Sequence, residues 1–359
     1  MRRRDTLLAA AGLLALPAAE ATKKKTAPAP KRRPARSSSD SYGPREDLLA
    51  FAAEVADRRG LERAWIVKEL AQAHKVETVQ KLMMPAPAGT PKNWLGYRDR
   101  FVEPRRVAAG AAFWQANEGW LVKAEQRFGV PPAIVIGILG LETFYGRLNG
   151  GFRVIDALAT LAFDFPVGRK DRSPFFRGEL EEFLVMCERE KIDPQQPKGS
   201  FAGAMGMVQF MPGSFNRYAL DFDGDGRIDL GSSGADAIGS IANYLAANGW
   251  QRGMPTHFAV TPPDDAAELA LLLAPDIVPS FSAAEFAEHG ARLDDAGRAH
   301  EGRLALVLLE NAEGPPNYVA GTQNFYAITR YNWSSFYAMT VVLLGEAVAA
   351  ARGPAPGGR

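Results

Sequence analysis

Glu142 is the residue whose placement most invites chemistry. Residues 133–141 are apolar on every side, which predicts a buried helix, and Pro131-Pro132 suits its first turn. That helix runs straight into Glu142-Thr143-Phe144-Tyr145-Gly146. A carboxylate rarely ends an apolar helix. Apolar neighbours and the negative end of a helix both oppose its charge, so both raise its pKa. A glutamic acid that keeps its proton near neutral pH is a general acid of the kind used in glycoside cleavage. By position alone, a helix-end Glu turned to solvent fits equally well.

A second segment, residues 198–212, is Lys-Gly-Ser-Phe-Ala-Gly-Ala-Met-Gly-Met-Val-Gln-Phe-Met-Pro. Its glycines permit tight turns and close approach of a ligand. It lacks the Gly-Lys-Ser/Thr ending of a phosphate loop, which argues against a nucleotide and against any organic cofactor held that way. Ser200 and Gln209, set among apolar groups, suit hydrogen bonding to a sugar. A tight packing loop is the plainer alternative.

The third segment runs Asp221-Phe222-Asp223-Gly224-Asp225-Gly226-Arg227-Ile228-Asp229. Acids at positions 1, 3 and 5 with Gly at 6 match a calcium loop, and Arg227 would give its backbone carbonyl at 7. Position 12 is Ser232 instead of Glu, so Asp236 would supply the late carboxylate in a longer loop. Such a calcium ion would be structural. The alternative is a solvated acidic turn.

These segments sit in a chain of 359 residues with 47% hydrophobic and 23% charged residues, long enough for a full core without staples. One cysteine, Cys187, excludes an internal disulfide, and four scattered histidines argue against a histidine metal site. The net charge of +1 is uneven. Residues 1–21 sum to +1 and residues 22–39 carry seven basic groups and no acid, which leaves residues 40–359 at −7. An acidic folded part is not a nucleic-acid-binding domain.

The N-terminus reads as an address. Arg2-Arg3-Arg4, an apolar run over 7–16 and Ala19-Glu20-Ala21 make a secretory signal peptide over residues 1–21, with a weak twin-arginine character. No cysteine lies near the cleavage point for a lipid anchor, and no later stretch reads as a membrane span. The expectation is an exported, periplasmic, soluble protein. Residues 22–43 form a basic Lys/Pro/Ala linker, a spacer or a cationic tether.

Helices are expected over 48–55, 107–128, 178–191, 212–220, 234–248 and 336–350. Prolines break the chain after Trp250. Residues 304–309, 318–319 and 325–328 read as strands of a small antiparallel sheet.

Together the motifs carry a resemblance. Leu141-Glu142-Thr143 with Tyr145-Gly146, the run 156–161, Gly199 to Gly206 with Gln209-Phe210-Met211-Pro212, Ala242-Asn243-Tyr244 and Ile328-Thr329-Arg330-Tyr331-Asn332 resemble the lytic murein transglycosylase B family. The similarity runs from about residue 48 to 348.

The resemblance implies a mainly α (α+β) fold, with a lysozyme-like helical core, a flanking helical domain and a small antiparallel β domain. The implied division is a helical domain of 44–130 with 335–352, a catalytic core of 131–252 holding the loop 221–236, and a β-rich domain of 253–334. Glu142 falls on the catalytic acid/base. Tyr97, Ser200, Gln209, Tyr244, Tyr331 and Asn332 fall on residues lining the saccharide cleft. Asp221, Asp223, Asp225, the Arg227 carbonyl and Asp236 fall on the calcium loop, Asp236 least securely because the loop is longer here. The implied partner is the peptidoglycan glycan strand, met by a monomer. The implied reaction cleaves the MurNAc–GlcNAc β-1,4 bond and leaves 1,6-anhydromuramyl ends. A hydrolytic muramidase using Asp156 or Asp164 as base and a non-catalytic wall-binding scaffold are the rival expectations.

Overall fold

The computed structural model describes residues 41–85 and 89–352. The expected signal peptide and nearly all of the basic linker lie outside these residues. The described chain is mainly helical, and its residues form two compact units. One comprises residues 41–85 and 151–204, the other 89–150 and 205–352. These seams run differently from the division implied by the resemblance.

In the unit of 41–85 and 151–204, helix Glu46–Arg59 buries Leu48, Phe51, Ala52 and Val55, the one apolar face read from sequence. Helix Val154–Phe163 packs against Ser173–Arg189, which begins five residues earlier than expected, with a proline in its first turn. Asp156 is buried in this unit. It accepts from Arg153 at 2.6 and 2.8 Å and from the His74 backbone N–H at 2.8 Å. Phe152–Arg153 pairs antiparallel with Lys198–Gly199. A Cβ on Gly199 would stand 2.1 Å from the Ala204 carbonyl oxygen, so only glycine lets the strand meet the loop that follows.

The other unit is centred on two helices. Pro132–Thr143 is buried on nearly every side, as its sequence demands. It packs along Ser335–Arg352. The packing is close because glycines face backbone from each side. A Cβ on Gly137 would lie 2.1 Å from the Val341 carbonyl oxygen, and one on Gly345 would lie 2.1 Å from that of Ala133. Contrary to the sequence reading, Ser335–Arg352 is long and apolar enough to cross a membrane on length and composition. Here it is half buried, and its apolar side faces the Glu142 helix.

Two further expectations need correction. The helix expected over 107–128 is two helices, Pro104–Ala116 and Glu118–Phe128. Asn117 separates them with φ −123° and ψ 20°, and its side-chain amide donates to the Phe113 carbonyl, competing with the helical ladder. The strand expected over 325–328 is a helix, Gln323–Tyr331. Thr322 caps it by accepting from the Asn324 N–H, and Phe325, Ile328 and Thr329 share its buried face.

The antiparallel sheet in this unit has four strands, ordered Arg292–Leu293, His257–Thr261, Asn317–Gly321, Ala305–Leu309. Strand His257–Thr261 was not read from sequence. Phe258, Leu272, Phe286, Leu304, Leu306 and Ala320 form its core.

Candidate active site

Glu142 sits in the last turn of Pro132–Thr143. The chain then reverses through Phe144, Tyr145 and Gly146, all at positive φ. Two non-glycine residues in that region are strained, so the surroundings must hold them. The buried Thr143 hydroxyl does this from inside, donating to the Met207 carbonyl at 2.8 Å and accepting from the Gly146 N–H at 3.0 Å. Met207 in turn donates its N–H to the Leu230 carbonyl at 2.7 Å. Thus the glycine-rich loop, the acidic loop and the end of the Glu142 helix share one hydrogen-bond chain.

The Glu142 carboxyl is pushed up to about 7. Burial among apolar groups is the larger cause. A hydrogen bond from the Tyr337 hydroxyl to Oε1, 2.6 Å long, works in the opposite direction. The carboxyl is therefore poised where it can both give and take a proton. The alternative of a helix-end Glu turned to solvent does not hold.

Sequence reasoning missed Tyr337. Its signal was weak, a single tyrosine in the first turn of an apolar helix, and only the Gly137/Gly345 crossing brings it to Glu142. Tyr337→Phe removes the bond that favours the ionised form. The expected result is a kcat profile whose alkaline limb moves to higher pH, checked by rates across pH 5–9.

Aromatic rings surround this carboxyl. Tyr331 stacks on Tyr337 at 6.4 Å, Tyr244 meets Tyr331 edge-on at 4.9 Å, and Tyr218 meets Tyr244 at 4.9 Å. Burial raises the Tyr97, Tyr331 and Tyr337 hydroxyls above their ordinary range, and the charge of Glu142 adds to each. Two hydroxyls are committed to backbone, Tyr331 to the Val208 carbonyl and Tyr244 to that of Arg330, each at 2.5 Å. Gln209 is buried at φ 51°, and its amide donates to the Gly206 carbonyl at 2.9 Å. Asn332 closes the helix that carries Tyr331.

Tyr97, Gln209, Tyr244, Tyr331 and Asn332 therefore lie in the same unit as Glu142. Ser200 belongs to the other unit, where its buried oxygen accepts from the Ala202 and Ala204 N–H groups at 3.3 and 3.1 Å. Its own proton remains available to a ligand acceptor.

In the acidic loop, carboxylate oxygens of Asp221, Asp223 and Asp236 come within 4.8 Å of one another. Asp225 and Arg227 are exposed and outside that group. Asp221 accepts from the Gly224, Asp225 and Gly226 N–H groups, which shapes the turn. Asp236 lies in the first turn of Gly234–Ala247 and accepts from the Phe222 and Asp229 N–H groups at 2.7 and 2.8 Å. Its carboxyl is pushed up, by burial first and also by the charge of Asp223. Hard oxygen donors gathered against their own repulsion fit a calcium ion.

A helical fold with a raised glutamic acid beside tyrosines defines a class of glycan-cleaving protein. Residues 44–346 match the transglycosylase SLT domain family, and the chain belongs to that family. It is 41% identical over 314 residues to the membrane-bound lytic murein transglycosylase B of Escherichia coli (strain K12), covering 84% of this chain and 82% of that one. The Escherichia coli lytic transglycosylase SLT35, solved in complex with calcium, is 40% identical, with a TM-score of 0.75 over 87% of this chain and 96% of that one. The soluble lytic transglycosylase SltB1 of Pseudomonas aeruginosa is 36% identical, with a TM-score of 0.77 over 86% of this chain and all of that one.

Proposed function

We propose that this protein is a lytic transglycosylase that cleaves the MurNAc–GlcNAc β-1,4 bond of peptidoglycan. The observation that carries the reading is the single carboxyl of Glu142, raised to about 7 and held by Tyr337. Protonated Glu142 gives its proton to the glycosidic oxygen as the C1–O bond breaks. The GlcNAc hydroxyl leaves. The carboxylate then takes the proton of the muramyl C6 hydroxyl, whose oxygen bonds to C1. The product is a 1,6-anhydromuramyl end, no water is consumed, and Glu142 is protonated again. One carboxyl suffices because the nucleophile belongs to the substrate. The substrate's acetamido oxygen stabilises the cation at C1, as in other substrate-assisted glycosidases. Tyr97, Tyr244, Tyr331, Gln209 and Asn332 supply the walls against which the sugars lie.

The muramidase reading needs a second base. Asp156 is spent on Arg153 and the His74 N–H. Burial alone would raise Asp164, but hydrogen bonds from Tyr42, Arg45 and Lys75 hold its carboxyl below the usual range. Asp164 is therefore no base near neutral pH. Mass spectrometry of fragments released from peptidoglycan tests the choice. Anhydromuramyl ends, lighter by one water than hydrolysis products, support the proposal. Reducing muramyl ends replace it with hydrolysis.

Calcium, held by Asp221, Asp223 and Asp236 with Asp225 and the Arg227 carbonyl as further donors, neutralises the loop and stabilises the fold. A ligand at a hundred times its Kd adds about 2.7 kcal/mol to stability. Chelation is therefore expected to lower Tm by several degrees, and Asp223→Asn to abolish that calcium dependence in a thermal melt. Residues 1–21 would export the chain to the periplasm, where its substrate lies.

A further inference from the structure

The unit of 41–85 and 151–204, which does not hold Glu142, has a cavity of its own. Its volume is about 430 Å³. Two helices end there. Helix Arg63–Ala71 brings Trp65, Lys68 and Glu69, and helix Ser173–Arg189 brings Cys187 and Glu188. The chain then reverses through Lys191 at φ 54°, with the Ile192 N–H donating to the Cys187 carbonyl at 2.9 Å. That reversal returns Asp193 and Gln195 to the same wall.

The charges of this wall favour a cation. Three carboxylates, Glu69, Glu188 and Asp193, stand against two ammonium groups, Lys68 and Lys191. Each helix adds about half a negative charge at its C-terminal end. Arg153, bonded to Gln195, spends its charge on Asp156 at 2.6 and 2.8 Å. The Cys187 thiol responds to this field. Burial pushes it up first, and the charges of Asp193 and Glu69 push it further. It therefore stays protonated and is no nucleophile.

Glu69 is the acid with most to gain from a new partner. Its side chain is 6% exposed, and Gln195 Nε2 fixes it by donating to Oε2 at 3.0 Å. Its cation is Lys68, 3.2 Å from Oε1 and 72% exposed. Lys191 pairs with Glu188 at 2.7 Å and is 76% exposed. Such pairs at a surface contribute little, and both lysines give them up readily. A cation inside the cavity meets Glu69 at lower dielectric, where the attraction is stronger. The cavity is larger than a metal ion needs, and the acids that gather closely enough for a metal among the described residues are Asp221, Asp223 and Asp236, in the other unit. Trp65 is half buried in the wall, and no cation among the described residues stands over its ring. An aromatic ring beside carboxylates suits an organic ammonium ion. We propose that this cavity binds an organic ammonium ion on a short alkyl chain, held by Glu69 and Asp193 and packed on Trp65. A free diamine and the lysine side chain of a partner protein share that chemistry. The site stands independently of the reading of Glu142.

Calorimetric titration of the whole protein at fixed ionic strength tests the site. Cadaverine and Nα-acetyl-lysine amide are the probes, and pentanol is the uncharged control. One saturable site is expected for an amine and none for pentanol. Glu69→Gln keeps an acceptor for Gln195 but loses the charge, so binding should weaken about tenfold. Asp193→Asn, at an exposed position, should weaken it too, and it covers the case in which the buried substitution unfolds the chain. Lys68→Gln removes the competing cation and should tighten binding about threefold. Glu77→Gln, on the surface of the same unit, should change nothing. Tighter binding of cadaverine assigns a free diamine, and tighter binding of the lysine amide assigns a partner's side chain. Absence of a saturable site overturns the proposal. So do folded Glu69→Gln and Asp193→Asn variants that bind as wild type does, and a loss in Glu77→Gln equal to theirs, which would mark general attraction of amines to acidic surface.

Discussion

Glu142→Gln is expected to abolish release of fragments from peptidoglycan and to leave the fold intact. The amide is close to isosteric and still accepts from the Tyr337 hydroxyl, now 2.6 Å from Oε1. It can neither give nor take a proton. General acid–base catalysis contributes about 10²–10⁴-fold per step, and here one group serves both steps. The expected loss is therefore at least about 10⁴-fold. Stability should move the other way. The folded state binds the Glu142 proton more tightly than the unfolded chain, at about 7 against 4.5. Its contribution is complete below the lower value and is lost as pH rises through the higher one. Above that, the buried charge costs at most about 3.4 kcal/mol. The Gln variant is free of this cost, so it should melt higher than wild type at pH 8 and equally at pH 4. A variant that melts alike at both, or that keeps lytic activity, removes Glu142 from its role.

The legible parts of the molecule were those fixed by local pattern. The apolar run before Glu142 could only be a buried helix, and its end had to carry the carboxyl. The acidic spacing of Asp221, Asp223 and Asp225 located a loop, and Asp236, expected as its late carboxylate, stands with Asp221 and Asp223 in the first turn of the helix that Ser233 caps, while Asp225 lies outside that group. Residues 325–328 misled because Phe-Tyr-Ala-Ile satisfies both strand propensity and one helical face, and the Thr322 cap decides between them. Tyr337 was invisible for a different reason. Its partner Glu142 is distant in sequence, and only packing between helices sets the two together.

That packing carries the largest stability effect. Gly137→Ala is expected to damage both fold and activity, though alanine is ordinarily the better helix former. The added methyl would stand 2.1 Å from the Val341 carbonyl oxygen and 3.0 Å from its Cγ1. A backbone oxygen cannot swing aside, so Pro132–Thr143 and Ser335–Arg352 must separate. Overpacking of this kind costs about 1–3 kcal/mol. The two helices also carry Glu142 and Tyr337, so their separation stretches the 2.6 Å bond between them. Misplacement of a catalytic group by about 1 Å can cost roughly 100-fold in rate. Gly119→Ala gives the contrast. It lies in helix Glu118–Phe128, where a Cβ meets nothing within 4 Å, so alanine there should add about 0.5–1 kcal/mol. Calorimetric melts with kcat for the two variants decide the matter. If Gly137→Ala keeps wild-type Tm and rate, the close helix crossing does not position the acid.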